Sequence, residues 1–286
     1  MADHATDKAR ESLQQALASW PQWSASLVEK PRLINALNNG LSHSTYLVSS
    51  NADHFALRVE SPESRALAMS KNQEIALMES AGSLAPEIVW SDHRTLVTRF
   101  IHGATWQPLE KLEVLCQSLH QLHRTHSKVA RFDLLLHCDQ YWQNIHKLFT
   151  VKKHTTELFE QCRAHLQQTL QQYPEQCLCH NDLNPDNILQ QEDRFVFLDW
   201  EYACNNSPYF ELATIVEFYA LSDLQTRQLS SCYWQGINTE QHLTALQDFR
   251  VVVRFTEWLW LTLKESELTG LCESKLQTLL EQQGKS

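Results

Sequence analysis

The chain has 286 residues, of which 43% are hydrophobic, enough to bury a substantial core in one large domain or two lobes. Its 24 basic and 34 acidic residues give a formal net charge of -10, and no cluster of Lys or Arg stands out. This balance argues against binding to nucleic acid or to a membrane surface, and it suits a cationic or neutral substrate.

The N-terminal segment and the cysteines favour a cytoplasmic protein. The segment from Met1 to Lys8 has no apolar core for a signal peptide, and no run of 18 apolar residues could span a membrane. Of the eight cysteines only Cys177 and Cys179 lie close together, and a single Cys-x-Cys pair is a weak zinc signal. Reduced, buried thiols are the expected state. Nothing in the sequence indicates a protein partner.

The first third of the chain predicts short helices followed by a sheet. Apolar residues recur at helical spacing over residues 11–28. Two strands around a turn are predicted over residues 32–48, and a third strand over residues 55–59. After an intervening helix, two more strands at residues 86–90 and 95–101 complete five antiparallel strands.

Helices dominate the rest of the prediction. Ser61 and Pro62 are a typical helix start, with a hydroxyl cap and a proline in the first turn, and this helix is expected to end at Gly82. From Pro108 onward almost everything outside one central stretch is predicted to be helical. The longer predicted helices cover residues 141–151, 155–173, 221–236, 239–267 and 272–283.

Three histidines on the helix after Pro108 suggest a metal site at first sight. His120, His123 and His126 are three residues apart, so their side chains spread over about 120° of the helix, and no carboxylate stands at ligand spacing. One buried and two solvated histidines are therefore the preferred interpretation.

The most informative stretch runs from Cys179 to Tyr202. Its sequence is Cys-His-Asn-Asp-Leu-Asn-Pro-Asp-Asn-Ile-Leu, then a turn, then Arg-Phe-Val-Phe-Leu-Asp-Trp-Glu-Tyr. Asp182 precedes Asn187 by five residues, and Asp199 follows twelve residues later, after an apolar run that predicts a short buried strand. Three oxygen-bearing side chains therefore leave two adjacent turns, from which they are able to converge.

Phosphoryl transfer requires such a set of side chains. One carboxylate accepts a hydroxyl proton, and an amide oxygen and a second carboxylate hold Mg²⁺. Protein kinases space His-Arg-Asp-Leu-x-x-x-Asn in the same way, with a metal-binding Asp on the next strand. Asp182 is thus the candidate base, and Asn187 and Asp199 are candidate Mg²⁺ ligands. An ordinary Asn/Asp-rich turn is the alternative, but it does not require the His, both spacings and the second Asp together.

With these residues the chain resembles the aminoglycoside phosphotransferase and choline kinase superfamily, whose core is His-x-Asp-x-x-x-x-Asn followed by Ile-Asp-Trp/Phe-Glu. The run from Leu198 to Ala203, with Glu211-Leu212-Ala213 further on, is most similar to bacterial thiamine kinases, then to choline and ethanolamine kinases. The resemblance implies a bilobal, protein-kinase-like α+β fold. A small N-lobe with a five-stranded antiparallel sheet would cover residues 1–102, and a larger, mainly helical C-lobe residues 103–286. ATP and Mg²⁺ are the implied cofactors, and a small-molecule alcohol is the implied acceptor.

The same resemblance assigns two backbone elements to the nucleotide. The loop around Gly40 and Ser42 lies where the superfamily covers the phosphates, to which backbone amides and hydroxyls are able to donate. Taken alone, this loop is an ordinary hairpin with a single glycine. Backbone groups near Thr98 to Phe100 are expected to form the hinge that binds adenine.

Four further residues are implied to support the site. Arg58 stands where most kinases carry a lysine, and its fork can form paired hydrogen bonds to phosphate oxygens. Glu74 is its expected partner, unless it is a solvated carboxylate on a helix face. His180 is expected to prop the catalytic loop, and Glu211 to brace it through hydrogen bonds.

The acceptor is the least specified part. Aromatic faces and a carboxylate would suit a thiazolium or quaternary ammonium ion, thiamine ahead of choline. The candidate residues are Trp200, Glu201, Tyr202 and Trp258, whereas Trp260 is expected in the core.

Two alternatives remain open. An aminoglycoside or other small-molecule kinase would use the same core with a more acidic, less aromatic groove. A catalytically silent nucleotide-binding pseudokinase is favoured by the single-glycine loop and by Arg in place of Lys. The intact set of Asp182, Asn187 and Asp199 argues against it.

Overall fold

A five-stranded antiparallel sheet organises the first part of the chain, in the order β1-β2-β3-β5-β4. The structure is a computed structural model and describes residues 11–23, 26–39, 43–60, 70–126, 132–265 and 270–283. The strands are β1 (Arg32–Asn39), β2 (His43–Ser50), β3 (Asp53–Glu60), β4 (Ile88–Ser91) and β5 (Thr95–Arg99). The predicted fold class, with its five-stranded antiparallel sheet and helical remainder, is confirmed.

Strand alternation divides β3 between two faces of the sheet. Phe55, Leu57 and Val59 belong to a buried apolar cluster that also contains Trp23. Successive side chains of a strand point to opposite faces, so Arg58 lies on the face away from this cluster. Strand β3 thus contributes apolar side chains to the core from one face and the cationic side chain of Arg58 from the other.

Two helices belong to the same part of the molecule. Residues 11–18 form α1, and Lys71–Ala81 form α2, which ends at Gly82 with a positive φ of 58°, as predicted. The predicted start of that helix at Ser61 and Pro62 lies outside the described residues.

The chain divides into two compact units. The first comprises Met1–Ala104, Leu189–Gln191 and Val196–Tyr202, and the second comprises Thr105–Ile188, Glu192–Phe195 and Ala203–Ser286. The predicted division after residue 102 does not include the two short segments that return to the first unit. Three short strands lie where the chain passes between units: β6 (Ala104–Thr105), β8 (Ile188–Gln190) and β9 (Phe195–Phe197).

Gly103 occupies a position where a side chain does not fit. A Cβ atom there would lie 2.9 Å from the carbonyl oxygen of Gln190, closer than real Cβ contacts come. The glycine therefore permits close approach of two backbone segments of the first unit.

The second unit is mainly helical. Its helices are α3 (Leu112–His123), α4 (Leu134–Leu148), α5 (Lys153–Gln172), α6 (Pro208–Phe218), α7 (Asp223–Tyr233), α8 (Thr239–Glu265) and α9 (Gly270–Gln283). The long helix α8 packs against α4, α5, α6, α7 and α9. Of the helices described, none is both long enough and apolar enough to cross a membrane.

A two-stranded sheet positions the central motif within this unit. Strand β7 (Cys177–Cys179) pairs antiparallel with β10 (Cys204–Asn206), a strand that the sequence did not predict. The candidate catalytic loop begins directly after β7.

Candidate active site

The backbone after β7 is held by one buried carboxylate. Glu211, at the start of α6, accepts hydrogen bonds from the backbone N–H groups of His180 and Asn181, at 2.7 Å each. Burial raises the pKa of Glu211 to about 7, while the two donors oppose that shift. Asn181 has a positive φ of 66°, a conformation that Asn tolerates better than most residues. The family resemblance implies that Glu211 braces this turn, and the two hydrogen bonds to its carboxylate allow it to do so.

Two amide side chains orient the carboxylate of Asp182. Asn184 donates from Nδ2 to Asp182 Oδ1 at 3.1 Å, and Asn187 donates from Nδ2 to Asp182 Oδ2 at 2.8 Å. Asn187 Nδ2 also donates to the backbone oxygen of Asp182 at 2.8 Å. Because the amide nitrogen of Asn187 is used in this way, its oxygen is the atom suited to a cation. Sequence analysis did not single out Asn184, although an Asn two residues after an Asp in a turn is a usable signal.

The other side of this loop is anchored by residues that the motif does not contain. Asn206 donates to the side-chain oxygen of Asn181 at 2.8 Å, and Asn181 donates to Cys204 Sγ at 3.1 Å. Both partners lie on β10. His180 is fully buried, a position from which it can prop the loop as expected.

In the first unit, one arginine joins two carboxylates. Arg58 donates from Nη1 to Asp199 Oδ1 at 2.7 Å and from Nη2 to both oxygens of Glu74. Arg58 is 9% exposed and Glu74 only 2% exposed, so the interpretation of Glu74 as a solvated helix residue is wrong. Burial lowers the pKa of Arg58, but the charges of Glu74 and Asp199 outweigh it and raise that pKa above its ordinary value. The guanidinium is therefore firmly cationic.

His43 is a further member of this cluster that sequence analysis did not name. Its Nε2 lies 3.4 Å from Asp199 Oδ2, and its Nδ1 lies 3.9 Å from Glu201 Oε2. One ligand atom from each of these three side chains lies within 4.8 Å of the others. Asp199 has a positive φ of 61°, which turns the chain two residues after the end of β9. This arrangement is chemically suited to a cation.

The residues predicted for the nucleotide are only partly accounted for. Gly40 and Ser42 lie outside the described residues. At the predicted hinge, the amide of Phe100 donates to the carbonyl oxygen of His54 at 3.0 Å. Thr98 is paired with strands on both sides. The amide of Phe100 and the backbone of Thr98 therefore take part in the sheet, and the adenine-binding hinge stays a prediction.

Two of the four predicted acceptor residues have no exposed surface. Trp200 is 0% exposed and donates from Nε1 to the carbonyl oxygen of Phe197 at 2.8 Å. Trp258 is also 0% exposed and packs against the ring of Trp142. A buried ring does not offer its face to a ligand, so the structure contradicts both assignments.

The remaining acceptor candidates are accessible to different extents. Glu201 is 9% exposed, and Tyr202 is partly exposed. Trp260, expected in the core, is instead partly exposed, with Lys264 Nζ 5.6 Å from its ring centre. The expected burial of Trp260 and the expected accessibility of Trp258 are therefore both wrong.

Comparison with known sequences identifies the class of protein. The chain belongs to the phosphotransferase enzyme family, whose sequence pattern matches residues 34–231. The predicted resemblance is thereby confirmed.

Two relatives are more specific. Protein LicA of Haemophilus influenzae is 45% identical over 69 residues, which are 24% of this chain and 26% of LicA. The match thus spans about a quarter of that relative. Thiamine kinase of Shigella boydii is 25% identical over 230 residues, covering 79% of this chain and 78% of the relative.

Solved structures show the same fold. Choline kinase LicA from Streptococcus pneumoniae has a TM-score of 0.73 at 15% identity, covering 96% of this chain and 100% of that one. A structure of LicA in complex with AMP has a TM-score of 0.74, also at 15% identity, covering 96% and 97%. At such identities the likeness establishes the fold alone.

Proposed function

We propose that this protein is an ATP- and Mg²⁺-dependent kinase that phosphorylates the hydroxyl of a small cationic alcohol, thiamine ahead of choline or ethanolamine. The observation that carries the proposal is the fork of Arg58, which is bonded to both Glu74 and Asp199. A cation suited to phosphate and a carboxylate suited to a metal ion thus lie side by side. Membership of the phosphotransferase enzyme family supports the reaction class, and the AMP bound to LicA supports an adenine nucleotide.

On the nucleotide side, Arg58 would bind the phosphates of ATP. The carboxylates of Glu74 and Asp199 stabilise the charged form of Arg58. Its guanidinium offers paired hydrogen-bond donors to phosphate oxygens. Glu74 would fix the direction of this fork. Backbone amides around Gly40 and the hydroxyl of Ser42 would add donors, as the family resemblance implies.

Each of the two units also offers an oxygen donor of the kind that Mg²⁺ prefers. Asn187 has its amide nitrogen bonded to Asp182, which leaves the amide oxygen as a ligand, and Asp199 offers a carboxylate. Mg²⁺ prefers such oxygen ligands and keeps several waters. When bound, the ion would neutralise charge on the phosphates.

Asp182 would accept, or at least orient, the proton of the acceptor hydroxyl. Asn184 and Asn187 hold one oxygen each, so the carboxylate is oriented before any substrate binds. Positioning of this kind supplies much of the rate in phosphoryl transfer, because little covalent chemistry is required of the protein.

For the acceptor, the exposed part of the Asp199–Tyr202 turn is the candidate contact. Tyr202 would offer a ring face to a cation, worth roughly 0.5–2 kcal/mol depending on desolvation. Glu201 would add a carboxylate, whose attraction weakens with salt if the site is open to solvent. Trp200 and Trp258 take no part in this proposal because their rings are buried.

The deciding assay measures ADP release with ATP and Mg²⁺ and one acceptor at a time, at equal concentrations. The acceptors are thiamine, choline, ethanolamine, kanamycin and an uncharged sugar. We expect turnover with thiamine or choline. Strong turnover with kanamycin or the sugar, and none with thiamine or choline, would overturn the acceptor class and leave the kinase assignment. Stabilisation by ATP without turnover on any acceptor would favour the silent nucleotide-binding alternative.

A matched pair of variants tests the acceptor contact. Tyr202→Leu removes the aromatic face, whereas Tyr202→Phe retains it. We expect Tyr202→Leu to raise the KM for the cationic acceptor and to leave the KM for ATP nearly unchanged, while Tyr202→Phe behaves like the wild type. Equal acceptor KM values in all three proteins would remove Tyr202 from the site.

A further inference from the structure

A second cluster of ligand atoms lies in the helical unit, behind the candidate catalytic loop. It is formed by His123 on α3 and by Cys177 and Cys179 on β7. One atom from each side chain lies within 4.8 Å of the others. Neither element alone predicted such a site, since the Cys-x-Cys pair and the histidines of α3 are each weak signals.

The two thiols are spaced as metal ligands would be. Residues two apart on a strand share a face, and Cys177 Sγ and Cys179 Sγ lie 3.6 Å apart. Two thiolates bound to a tetrahedral Zn²⁺ at about 2.3 Å each are about 3.8 Å apart. The pair therefore needs little movement to hold one ion.

His123 presents one nitrogen to this cluster. Its Nδ1 is hydrogen-bonded to the hydroxyl of Tyr233 at 2.5 Å, and its side chain is only 5% exposed. Its Nε2 is buried and has no hydrogen-bond partner among the described residues. A hydrogen bond at one ring nitrogen with the other left for an ion is the usual arrangement of a metal-ligating histidine.

We propose that His123, Cys177 and Cys179 form a binding site for a thiophilic divalent metal ion of the Zn²⁺ class. Two thiolates and a neutral imidazole match the charge of such an ion and its preference for sulfur and nitrogen. The site is separate from the oxygen ligands proposed for Mg²⁺, and it does not depend on the proposed kinase activity.

The two thiols of the cluster also have hydrogen-bond acceptors. Cys179 donates to the carbonyl oxygens of Asn206 and Ser207 at 3.5 Å each, and Cys177 donates to Asn206 at 3.8 Å. Burial raises the pKa of the Cys179 thiol, in keeping with these protonated donors. Metal binding would release both thiol protons to solvent and replace them with two metal–sulfur bonds. Cys177 is partly exposed, which gives an ion a path to the site.

Glu211 lies next to the same cluster. Its Oε1 is 4.0 Å from His123 Nε2, and it also holds the backbone of His180. Since Cys179 directly precedes His180, a bound ion would be attached to the turn that carries the catalytic motif. Occupancy would therefore stiffen that turn.

The test uses the full chain, reduced and freed of metal with a chelator. Cd²⁺ or Co²⁺ is titrated while the thiolate-to-metal charge-transfer absorption is recorded, and Zn²⁺ affinity is measured by competition with a chromophoric chelator. We expect one ion per chain with a thiolate band. An ion bound at carboxylates would give no such band, so the absorption distinguishes the proposed site from one at Asp199.

Two ligand variants and one matched control complete the test. Cys177→Ser changes a partly exposed residue, and His123→Gln removes the nitrogen ligand. Each should weaken Zn²⁺ binding at least tenfold, roughly the lower end of losses seen even for outer-shell changes. Cys162→Ser, which alters another buried thiol on α5, should bind like the wild type. Absence of the band, or unchanged affinity in either ligand variant, would overturn the proposal.

Discussion

The candidate base, Asp182, and the candidate metal-binding carboxylate, Asp199, are held in opposite ways. In the first unit Asp199 is bonded to a charged partner, Arg58, which is shared with the buried Glu74. In the second unit Asp182 is held by the neutral amides of Asn184 and Asn187. One carboxylate thus belongs to an ion cluster and the other to a hydrogen-bonded loop.

The pKa values of Arg58 and His137 show how a countercharge changes the effect of burial. Arg58 is almost fully buried, yet the charges around it raise its pKa, so its cationic form is stabilised. His137 on α4 is also largely buried, but only burial acts on it, and its pKa falls to about 4. The countercharges therefore preserve the charge of Arg58 in the ion cluster, whereas burial lowers the pKa of His137, which has no countercharge. Variants that remove a charge should be more damaging in the first setting than in the second.

The largest effect is expected for Asp182, the carboxylate that we propose as the base. Asp182→Asn should lower turnover roughly 10²–10⁴-fold, because the amide cannot accept the hydroxyl proton. ATP should still bind, since Arg58 and Asp199 remain. Steady-state kinetics with a nucleotide-binding assay measure both. The matched control is Asp186→Asn, an exposed residue of the same loop. Full activity of Asp182→Asn would show that this residue is not the base.

Breaking the ion cluster should affect both stability and nucleotide binding. Arg58→Ala leaves Glu74 buried without its partner, which should lower the free energy of unfolding by about 3–5 kcal/mol. It should also raise the KM for ATP and lower turnover together. Arg58→Lys should recover part of the loss, since the charge remains while the fork is lost.

The control for this change is Arg32→Ala, whose side chain is 79% exposed beside Glu29. Surface pairs of that kind contribute about 0–1 kcal/mol, so little change is expected. Urea unfolding of the three variants provides the comparison. ATP kinetics equal to wild type in Arg58→Ala would mean that the arginine stabilises the sheet and does not bind phosphate.

A smaller effect is expected when the catalytic loop loses one hydrogen-bond acceptor. Glu211→Gln replaces an oxygen by an NH₂ group, so one of the backbone donors at His180 and Asn181 loses its partner. This should cost roughly 1–3 kcal/mol of stability and lower turnover more than it changes the KM for ATP. Glu160→Gln, at an exposed position on α5, is the control. Unchanged turnover would mean that the brace has no bearing on the loop's geometry.

The sequence was most informative where the chemistry lies within one short segment. Asp182 and Asn187 are five residues apart in a single loop, so their contact follows from the local chain. The ion pair of Arg58 and Glu74 was predictable because the family resemblance fixes both positions. His43 was missed because it lies far from Asp199 in the chain. The spacing of residues within one segment does not predict a contact between distant segments.

The tryptophans of α8 show a different limit. Trp258 and Trp260 are two residues apart on a helix and therefore point in directions about 200° apart. The pattern predicts that one faces the core, but it does not say which one, because apolar residues surround both. The cluster of His123 with Cys177 and Cys179 was missed for a related reason. Its ligands come from a helix and a strand whose packing the sequence does not specify.

The smallest expected effect concerns a histidine whose charge is suppressed by burial alone. His137 packs between the rings of Phe132 and Tyr141, with centroid distances of 5.0 and 4.2 Å. Its pKa is lowered from 6.5 to about 4. The folded state therefore binds fewer protons than the unfolded state between these pH values. The contribution of neutral His137 to the free energy of unfolding should be fully present above pH 6.5 and should be lost as the pH drops toward 4.

Replacing His137 by Gln should reduce this pH dependence, because glutamine does not titrate. The slope of unfolding free energy against pH, from urea titrations between pH 4 and 7, is the quantity to compare. His137→Gln should flatten part of it, while other buried histidines such as His123, whose pKa is lowered to about 3, retain the remainder. His126→Gln, at an exposed position, should leave the slope as it is. An identical slope in His137→Gln and wild type would mean that His137 keeps its charge when buried. The contrast with Arg58 would then depend on something other than the presence of a countercharge.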